Sequence, residues 1–546
     1  AGADGVAIGA HTKAIDMGDG NDTVTATAAL GTGGSVDGGD GTDTVTVNAA
    51  SFSTAGYTNF ETLGLGALAT GAYATTGFTG MTMGTVTGGV SFTAAANNNT
   101  LTFTAAPGQT SSVALAADTA ADNLNVVITS AAAINANTLT AASYETMAIT
   151  TADTGTVAAV HQDTLALTAT SLTSVTVAGD AGLALTTAGS TALSTVNASG
   201  ITAGVFTYTA TDITGTTTIT GGAGADVITG AGAADTITGG AGNDTLAGGT
   251  GADTIDGGTG TNTYAATASQ IGATVEGTGT GTSTGIVVNL STASLATATI
   301  SANLTTADFI AGTLGEIAAS SVGYVYGTSD NAFSAVLDTV TNIQNVTGST
   351  GADYILGSTV ANSINSGTGA DYVDLTETTQ TIDTLVLGAG TGATADTVAG
   401  FSAGTDVVSL SITSVAGSLI NNANSGVVAA GTAAVTEHVG TAATTLGATT
   451  NVIVYDTAVA NSTALITAIG TTVGTLLTHA TSVTADDDFV FAWTDGTNSH
   501  IGLISDSNAD TAAAFLAANL TYTELATLNG VTSVSSMNAE DFSFIA

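Results

Sequence analysis

Aspartate recurs every nine residues between Gly221 and Ala265, at Asp226, Asp235, Asp244 and Asp253, with Asn262 in the fifth place. Two positions after each stands an apolar residue: Ile228, Ile237, Leu246, Ile255 and Tyr264. The residues before each aspartate are rich in glycine, which adopts positive φ at little cost and lets the chain turn tightly with its carbonyls exposed. The residues after it, such as VIT and TIT, favour β-structure. A turn and a short strand alternating at nine residues wind into a flattened coil with two repeats per turn. Residues 18 apart then stack, Asp226 over Asp244 and Asp235 over Asp253. Stacked carboxylates repel unless a cation lies between them. Carboxylate and backbone carbonyl together suit a hard cation taking about six to eight oxygens, which favours Ca²⁺ over Zn²⁺ or Mg²⁺. The apolar row is too thin a core to offset chain entropy alone, so folding and metal binding are expected to be coupled.

The pattern returns from Gly348 as GSTGADYIL, GSTVANSIN and SGTGADYVD, which places Asp353 over Asp371 with Asn362 between them in sequence. Near the N-terminus MGDGNDTVT and GGDGTDTVT carry Asp22 and Asp43, here 21 residues apart, as though two nonapeptides held a three-residue insertion. Asp19, Asp40 and Asn243 stand inside the same loops and complete the candidate metal set. The spacing is imperfect at Ala231, which replaces a glycine, and at Val360, which occupies the fourth-position glycine.

Other chemistry lacks its parts. The five histidines, His11, His161, His438, His479 and His500, are far apart, and no HExxH motif is present. GTSTG at 281–285 has the letters of a nucleophile elbow around Ser283, but glycine and threonine precede it and the strand-like IVVNL follows, where the elbow needs a strand and then a helix. LGAGTGA at 387–393 imitates a dinucleotide-binding loop without the helix that would receive a phosphate. Asp506, Asn508 and Asp510 open like an EF-hand loop, but Thr511 and Ala517 occupy its Gly and Glu positions, so the stretch is expected to offer a surface calcium ligand set rather than an EF-hand. A glycosidase carboxylate pair would bring aromatic platforms and basic residues, and this chain has one Trp and one Lys. The expectation is a protein that is not an enzyme.

Composition points the same way. There are 43 acidic residues against the single Lys13, for a formal net charge of −42 over 546 residues. Such carboxylates must be solvated, protonated or neutralised by metal. Nucleic acid and anionic lipid are poor partners, since both require positive charge. No apolar run approaches the length of a membrane-spanning helix, so membrane insertion is not expected. Hydrophobic residues make up 44% of the chain, which argues against disorder, and cysteine is absent. The start, AGADGVAIGAH, has neither a basic region nor an initiator Met and reads as a processed or excised segment, with an anchoring domain before it an open expectation.

The elements that must carry these residues form an elongated all-β chain. Apolar triplets recur at Phe60/Leu63/Leu65, Tyr144/Met147/Ile149, Leu172/Val175/Val177 and Leu193/Val196/Ala198. Short strands at about twenty-residue intervals, with turns between them, predict the rungs of a parallel β-solenoid. TGIVVNLS reads as a strand and TTADFIAGTLGEIAASS as holding a short helix. DDDFVFAWTDGTNSHIGLIS reads as a hairpin turning at Asp495-Gly496, and NADTAAAFLAANL as a helix capped by Asp510. These last elements predict a smaller mixed β/α C-terminal domain.

Gly221–Ala265 resembles the RTX repeat, GGxGxDxUx with U a bulky apolar residue, whose loops bind calcium between turns of a β-roll. The resemblance implies calcium at Asp226, Asp235, Asp244 and Asp253, at Asp353 and Asp371, and at Asp22 and Asp43. LDTVTNIQNVTGSTGADYILGS and ADTVAGFSAGTDVVSLS resemble segments that lead into and close such blocks, and MNAEDFSFIA resembles an uncleaved type I secretion signal. Together these imply export from a Gram-negative cell. The expected organisation is RTX-like rungs over 1–50, β-solenoid over 51–211, an RTX β-roll over 212–265, a connecting segment over 266–340, a second β-roll over 341–411 and a C-terminal domain over 412–546. The interleaving of these parts resembles the calcium-dependent S-layer proteins of the Caulobacter type. That resemblance implies a structural protein whose main partner is itself, in a lattice, with cell-surface polysaccharide as a further partner. The alternatives are an adhesin or filament subunit and, third, an RTX hydrolase.

Overall fold

The computed structural model describes residues 2–50, 53–155, 160–266, 283–296, 299–300, 303–304, 316–326, 338–387, 395–411, 431–432, 436–439, 444–446, 452–471, 477–479, 487–506, 517 and 520–545. Its chain divides into two compact units, residues 1–262 and 263–546. The division falls within the segment expected as the first β-roll.

In the first unit Ala14–Asp16, Ser35–Asp37 and Tyr57–Thr58 form a short sheet of their own. From Gly71 onward successive strands enter two sheets in alternation, and every pairing between the described rungs is parallel. One sheet receives Asn123–Ser130, Thr146–Asp153, Ser174–Gly179, Thr195–Ile201, Thr218–Thr220, Thr236–Thr238 and Thr254–Asp256 in turn. The other receives Gln162–Thr168, Gly182–Ala188, Phe206–Thr209, Val227–Thr229 and Thr245–Ala247. This is the expected parallel β-solenoid. Strands in it alternate inward and outward because successive Cβ atoms point to opposite faces. In Asn123–Ser130, Leu124, Val126 and Ile128 are buried while Asn125 and Val127 are only partly so. The apolar triplets of the sequence are these inward rows: Met147 lies opposite Val175, and Val175 opposite Val196, with all three buried. In the nonapeptide stretch each strand contributes one inward residue, so Ile219, Ile237 and Ile255 stack in one sheet and Tyr208, Ile228 and Leu246 in the other. A coil this narrow is held by ladders of backbone hydrogen bonds and by what lies in its turns.

The second unit continues the same construction through Asn345–Thr347, Ser363–Asn365, Thr384–Leu387 and Val407–Ser411 in one sheet. Tyr354–Leu356, Tyr372–Asp374 and Asp396–Ala399 form the other. Ser283–Asn289, read as a strand, pairs parallel with Tyr354–Leu356 and antiparallel with Ser321–Tyr326. The helix expected within 305–321 is corrected in its described part: Glu316–Ile317 and the start of Ser321–Tyr326 are strand, and residues 305–315 lie outside the described residues.

Asp487–Thr494 and Ser499–Asp506 form the antiparallel hairpin, with Gly496 at φ 90° in its turn. Glycine takes that left-handed conformation without a Cβ clash. The helix expected over 508–520 falls almost wholly outside the described residues, and Leu520 already begins the strand Leu520–Asn529. An unanticipated helix, Ser462–Thr471, packs Leu465 and Ile469 against Phe489, Phe491 and Trp493. Two C-terminal strands cap the solenoid rungs: Leu520–Asn529 pairs with Asp396–Ala399 and Phe542–Ile545 pairs with Val407–Ser411. The tail that resembles a secretion signal is therefore folded, with a capping box at Asn538 and Phe542 and Phe544 buried. No helix among the described residues is long and apolar enough to cross a membrane.

Candidate calcium sites

The aspartates of the nonapeptides stand at the strand starts and are buried there. Each uses Oδ1 to accept the backbone amide of the rung before it. Phe206 N–H donates to Asp226 (2.7 Å), Asp226 N–H to Asp244 (2.8 Å) and Asp244 N–H to Asn262 Oδ1 (2.9 Å). On the opposite turn Thr217 N–H donates to Asp235 (2.7 Å) and Asp235 N–H to Asp253 (2.8 Å). In the second unit the series runs from Ile286 N–H to Asp353 and from Asp353 N–H to Asp371, each at 2.8 Å. At the N-terminal end Asp4 N–H reaches Asp22, Asp22 N–H reaches Asp43 and Asp43 N–H reaches Glu61. A side-chain oxygen bridges the gap at the start of each strand, and the carboxamide of Asn262 does so as well as a carboxylate.

The second oxygen separates the loops into two kinds. In one kind it is taken by the loop's own second amide: Gly222 N–H donates to Asp226 Oδ2 (2.5 Å), Ala231 N–H to Asp235 Oδ2 (2.7 Å) and Ser349 N–H to Asp353 Oδ2 (2.6 Å). Ser358 N–H likewise donates to Asn362 Oδ1 (2.7 Å). We term these loops closed. In the other kind the second and fourth residues are glycines at positive φ: Gly18 and Gly20, Gly39 and Gly41, Gly240 and Gly242, Gly249 and Gly251, Gly258 and Gly260, Gly367 and Gly369. We term these open. In the open loops Oδ2 of Asp22, Asp43, Asp244 and Asp371 is buried without a hydrogen-bond donor. A Cβ on Gly240 would strike the carbonyl oxygen of Gly222, so the open loop lies against the carbonyls of the loop stacked on it.

Electrostatics follow from this burial. Burial pushes Asp226 up to about 6, against the lowering effect of its two backbone bonds, with Asp244 adding a smaller upward push. Asp235 and Asp244 are raised for the same first reason. Asp371 is raised by burial, then by the charges of Asp353 and Asp396, and Asp353 is raised by burial and by Asp396. These groups are poised to lose their charge unless a cation joins them, and the chain has one Lys and no Arg.

A cation fits. An orphaned, buried carboxylate oxygen beside a stacked carbonyl-rich turn is an oxygen-donor environment, hard and flexible as calcium requires. Among the described residues no three Asp, Glu, His or Cys side chains gather at a metal position. Backbone carbonyls of the stacked turns would then supply further oxygen ligands, a donor set that favours calcium over zinc.

The other candidates occupy different places. Asp19 and Asp40 face each other across a backbone bridge, with exposed side chains on the outer rim. Asn243, also exposed, accepts the amide of Thr261 (2.9 Å) and so ties rungs together from outside. The same ladder also includes residues that sequence reading missed. Asn362 N–H donates to Asp383, Asp383 N–H to Asp406 and Asp371 N–H to Asp396. The signal was an aspartate two places before an inward apolar residue, as in DTLVL, DTVAG and DVVSL, without the GGxG spacing of the nonapeptides ahead of it. Ser283 opens its strand rather than sitting at a strand-to-helix turn, which removes the nucleophile elbow. Residues 388–394 and 507–516, which hold most of the dinucleotide-like and EF-hand-like stretches, lie outside the described residues.

No curated protein matches the chain. Residues 213–246, 229–264 and 347–376 match the family model of the RTX calcium-binding nonapeptide repeat. The N-terminal pair at 17–46 lies outside those segments although its loops are open in the same way. This chain carries RTX nonapeptide repeats in a parallel β-solenoid, and those repeats bind calcium at several sites.

Proposed function

We propose that this is a secreted structural protein that folds on binding calcium and assembles with copies of itself into a surface layer. One observation supports the reading above others: buried carboxylates with an unpaired oxygen, repeated along the coil in a chain almost devoid of cationic side chains. Bound calcium would supply the positive charge that the fold lacks. Asp22, Asp43, Asp244 and Asp371 are the proposed ligands on this ground, and Asp253 is proposed with them only because its loop, with Gly249 and Gly251 at positive φ, is of the same open kind. Asp226, Asp235 and Asp353 accept two backbone amides each, and their proposed role is to cap the first rungs of each block.

Acidic faces left at the surface would be bridged by further ions between protomers, with cell-surface polysaccharide as the anchor and a type I machine as the route out of the cell. Low cytosolic calcium would keep the chain unfolded until export. The proposal is of a protein without catalytic activity.

Electron microscopy of the purified protein tests the assembly. Two-dimensional sheets in millimolar calcium that dissolve in chelator and return with calcium support a surface layer. One-dimensional polymers would make it a filament or adhesin subunit. Assemblies indifferent to chelator would overturn the calcium-dependent reading.

A further inference from the structure

His500 lies between two carboxylates that come from different parts of the C-terminal sheet. Its Nδ1 is 2.7 Å from Glu524 Oε1 on Leu520–Asn529, and its Nε2 is 3.6 Å from Asp495 Oδ2 in the hairpin turn. The side chain is only 14% exposed. Its ring stacks on Trp493 of the neighbouring strand, with centroids 4.1 Å apart and planes 15° apart. Trp493 Nε1 donates to the Tyr522 hydroxyl (2.9 Å), and Thr527 Oγ1 donates to Glu524 Oε1 (3.2 Å). The titratable groups around the imidazole are thus Glu524 and Tyr522 from one strand and Asp495 from the turn; the strand on its other side presents the uncharged indole.

We propose that His500 is a proton-operated clamp, which as imidazolium fastens Leu520–Asn529 to the 495–498 turn and as neutral imidazole releases it. Two carboxylates facing one ring, Glu524 hydrogen-bonded at Nδ1 and Asp495 within charge range of Nε2 at 3.6 Å, favour the form in which both nitrogens carry a proton. Burial by itself lowers the affinity of the ring for that proton. The hydrogen bond to Glu524 and the charges of Glu524 and Asp495 outweigh burial, and the net shift is upward. Asp495 is held low, first by the amides of Asn498 and Thr497 and then by His500, so it is charged when the clamp is closed.

The location gives the clamp its consequence. Leu520–Asn529 pairs with the hairpin strand Ser499–Asp506 and, through Ala526–Asn529, with the solenoid rung Asp396–Ala399. Loosening it uncovers the end of that sheet. In a chain with one Lys, an imidazolium is one of the few cations the fold can place indoors. The arrangement recurs in the first unit, where His161 Nδ1 is 3.5 Å from Asp153 and Nε2 is 3.3 Å from Asp163.

A group whose folded pKa is raised stabilises fully below its unfolded pKa, and that contribution is lost as pH rises through the folded value. The test is made on the whole protein in saturating calcium, so that metal sites stay filled and the outcome is separate from the calcium reading. The wild type should melt higher than His500→Gln at pH 6, by roughly 2–4 °C, and the gap should close by pH 9. The ¹H–¹³C signal of His500 in histidine-labelled wild type should titrate above the ordinary 6.5. In Glu524→Gln that midpoint should fall. A gap that does not change with pH, or a His500 midpoint at or below 6.5, would overturn the proposal; the second readout needs no variant to fold.

Discussion

Asp226 and Asp244 hold the same position on successive turns of one coil, joined by a 2.8 Å bond from the amide of the first to Oδ1 of the second, yet their free oxygens differ. Asp226 Oδ2 accepts the amide of Gly222, whereas Asp244 Oδ2 is buried with no donor. Equal letters in a repeat therefore do unequal work, and the difference lies in the conformation of the glycines ahead of them, at positive φ in Gly240 and Gly242 but not in Gly222 and Gly224.

Asp244→Ala should remove at least one calcium ion per chain and lower the melting temperature in calcium. It also strands the buried amide of Asp226, which costs about 1–3 kcal/mol. Asp226→Asn should keep the calcium stoichiometry but lower the melting temperature, since Asn retains only one of the two acceptor oxygens that take the amides of Phe206 and Gly222. Isothermal titration calorimetry and thermal melts of both variants check the division. Unchanged stoichiometry in Asp244→Ala would show that the coil register is wrong.

Calcium-free protein should lose stability as pH rises. Asp226 and Asp383 are each pushed up to about 6 from 3.8, so between those values the folded chain binds more protons than the unfolded one. Stability is then highest below about pH 4 and falls through pH 6 and beyond, where Asp353 and Asp371, also raised, lose their protons. Urea unfolding in chelator across pH 4–8 measures this. Saturating calcium should reduce the part of the fall due to the open-loop Asp371, because the ion favours its charged form, and calcium binding at pH 6 should release protons measurable in a pH-stat.

Gly240→Ala and Gly232→Ala separate the two loop kinds. Gly240 has φ 113° and a Cβ there meets the Gly222 carbonyl, so the substitution should cost about 1–3 kcal/mol and weaken calcium binding. At Gly232 a Cβ finds only Thr250 Oγ1 at 3.4 Å, and φ is not in the left-handed region. That variant should bind calcium and melt as the wild type does.

Phe544→Ala should destabilise the second unit by about 3–5 kcal/mol, as expected for a buried phenylalanine, and expose the edge of Val407–Ser411. Chemical denaturation followed at Trp493 reads the loss. A variant as stable as wild type would mean that the terminal strand does not dock in solution.

The nine-residue period and the inward apolar rows were legible because both are local. A side chain two residues after each aspartate must face inward once the turn and strand lengths are set, which is why Ile228, Ile237, Leu246 and Ile255 could be read directly as core. Ala231 and Val360 also announced themselves, since neither takes positive φ cheaply, and both of their loops are closed. Gly222 and Gly224 did not. They are free to adopt the open form and yet the loop is closed, a choice made by the neighbouring rung and not by the residues themselves.

Asp383, Asp396 and Asp406 were hidden for a related reason. Their partners lie 21 to 25 residues away across loops without the glycine signature, and only stacked rungs bring the amides of Asn362, Asp371 and Asp383 onto them. The pairing of His500 with Glu524 is likewise set by the register of two antiparallel strands. By itself the sequence determined the repeating coil and its appetite for a hard cation, because turn propensity and side-chain alternation act over a few residues. Only the tertiary structure decided which carboxylate oxygens are left without a donor, because hydrogen-bond satisfaction in a solenoid is settled between rungs.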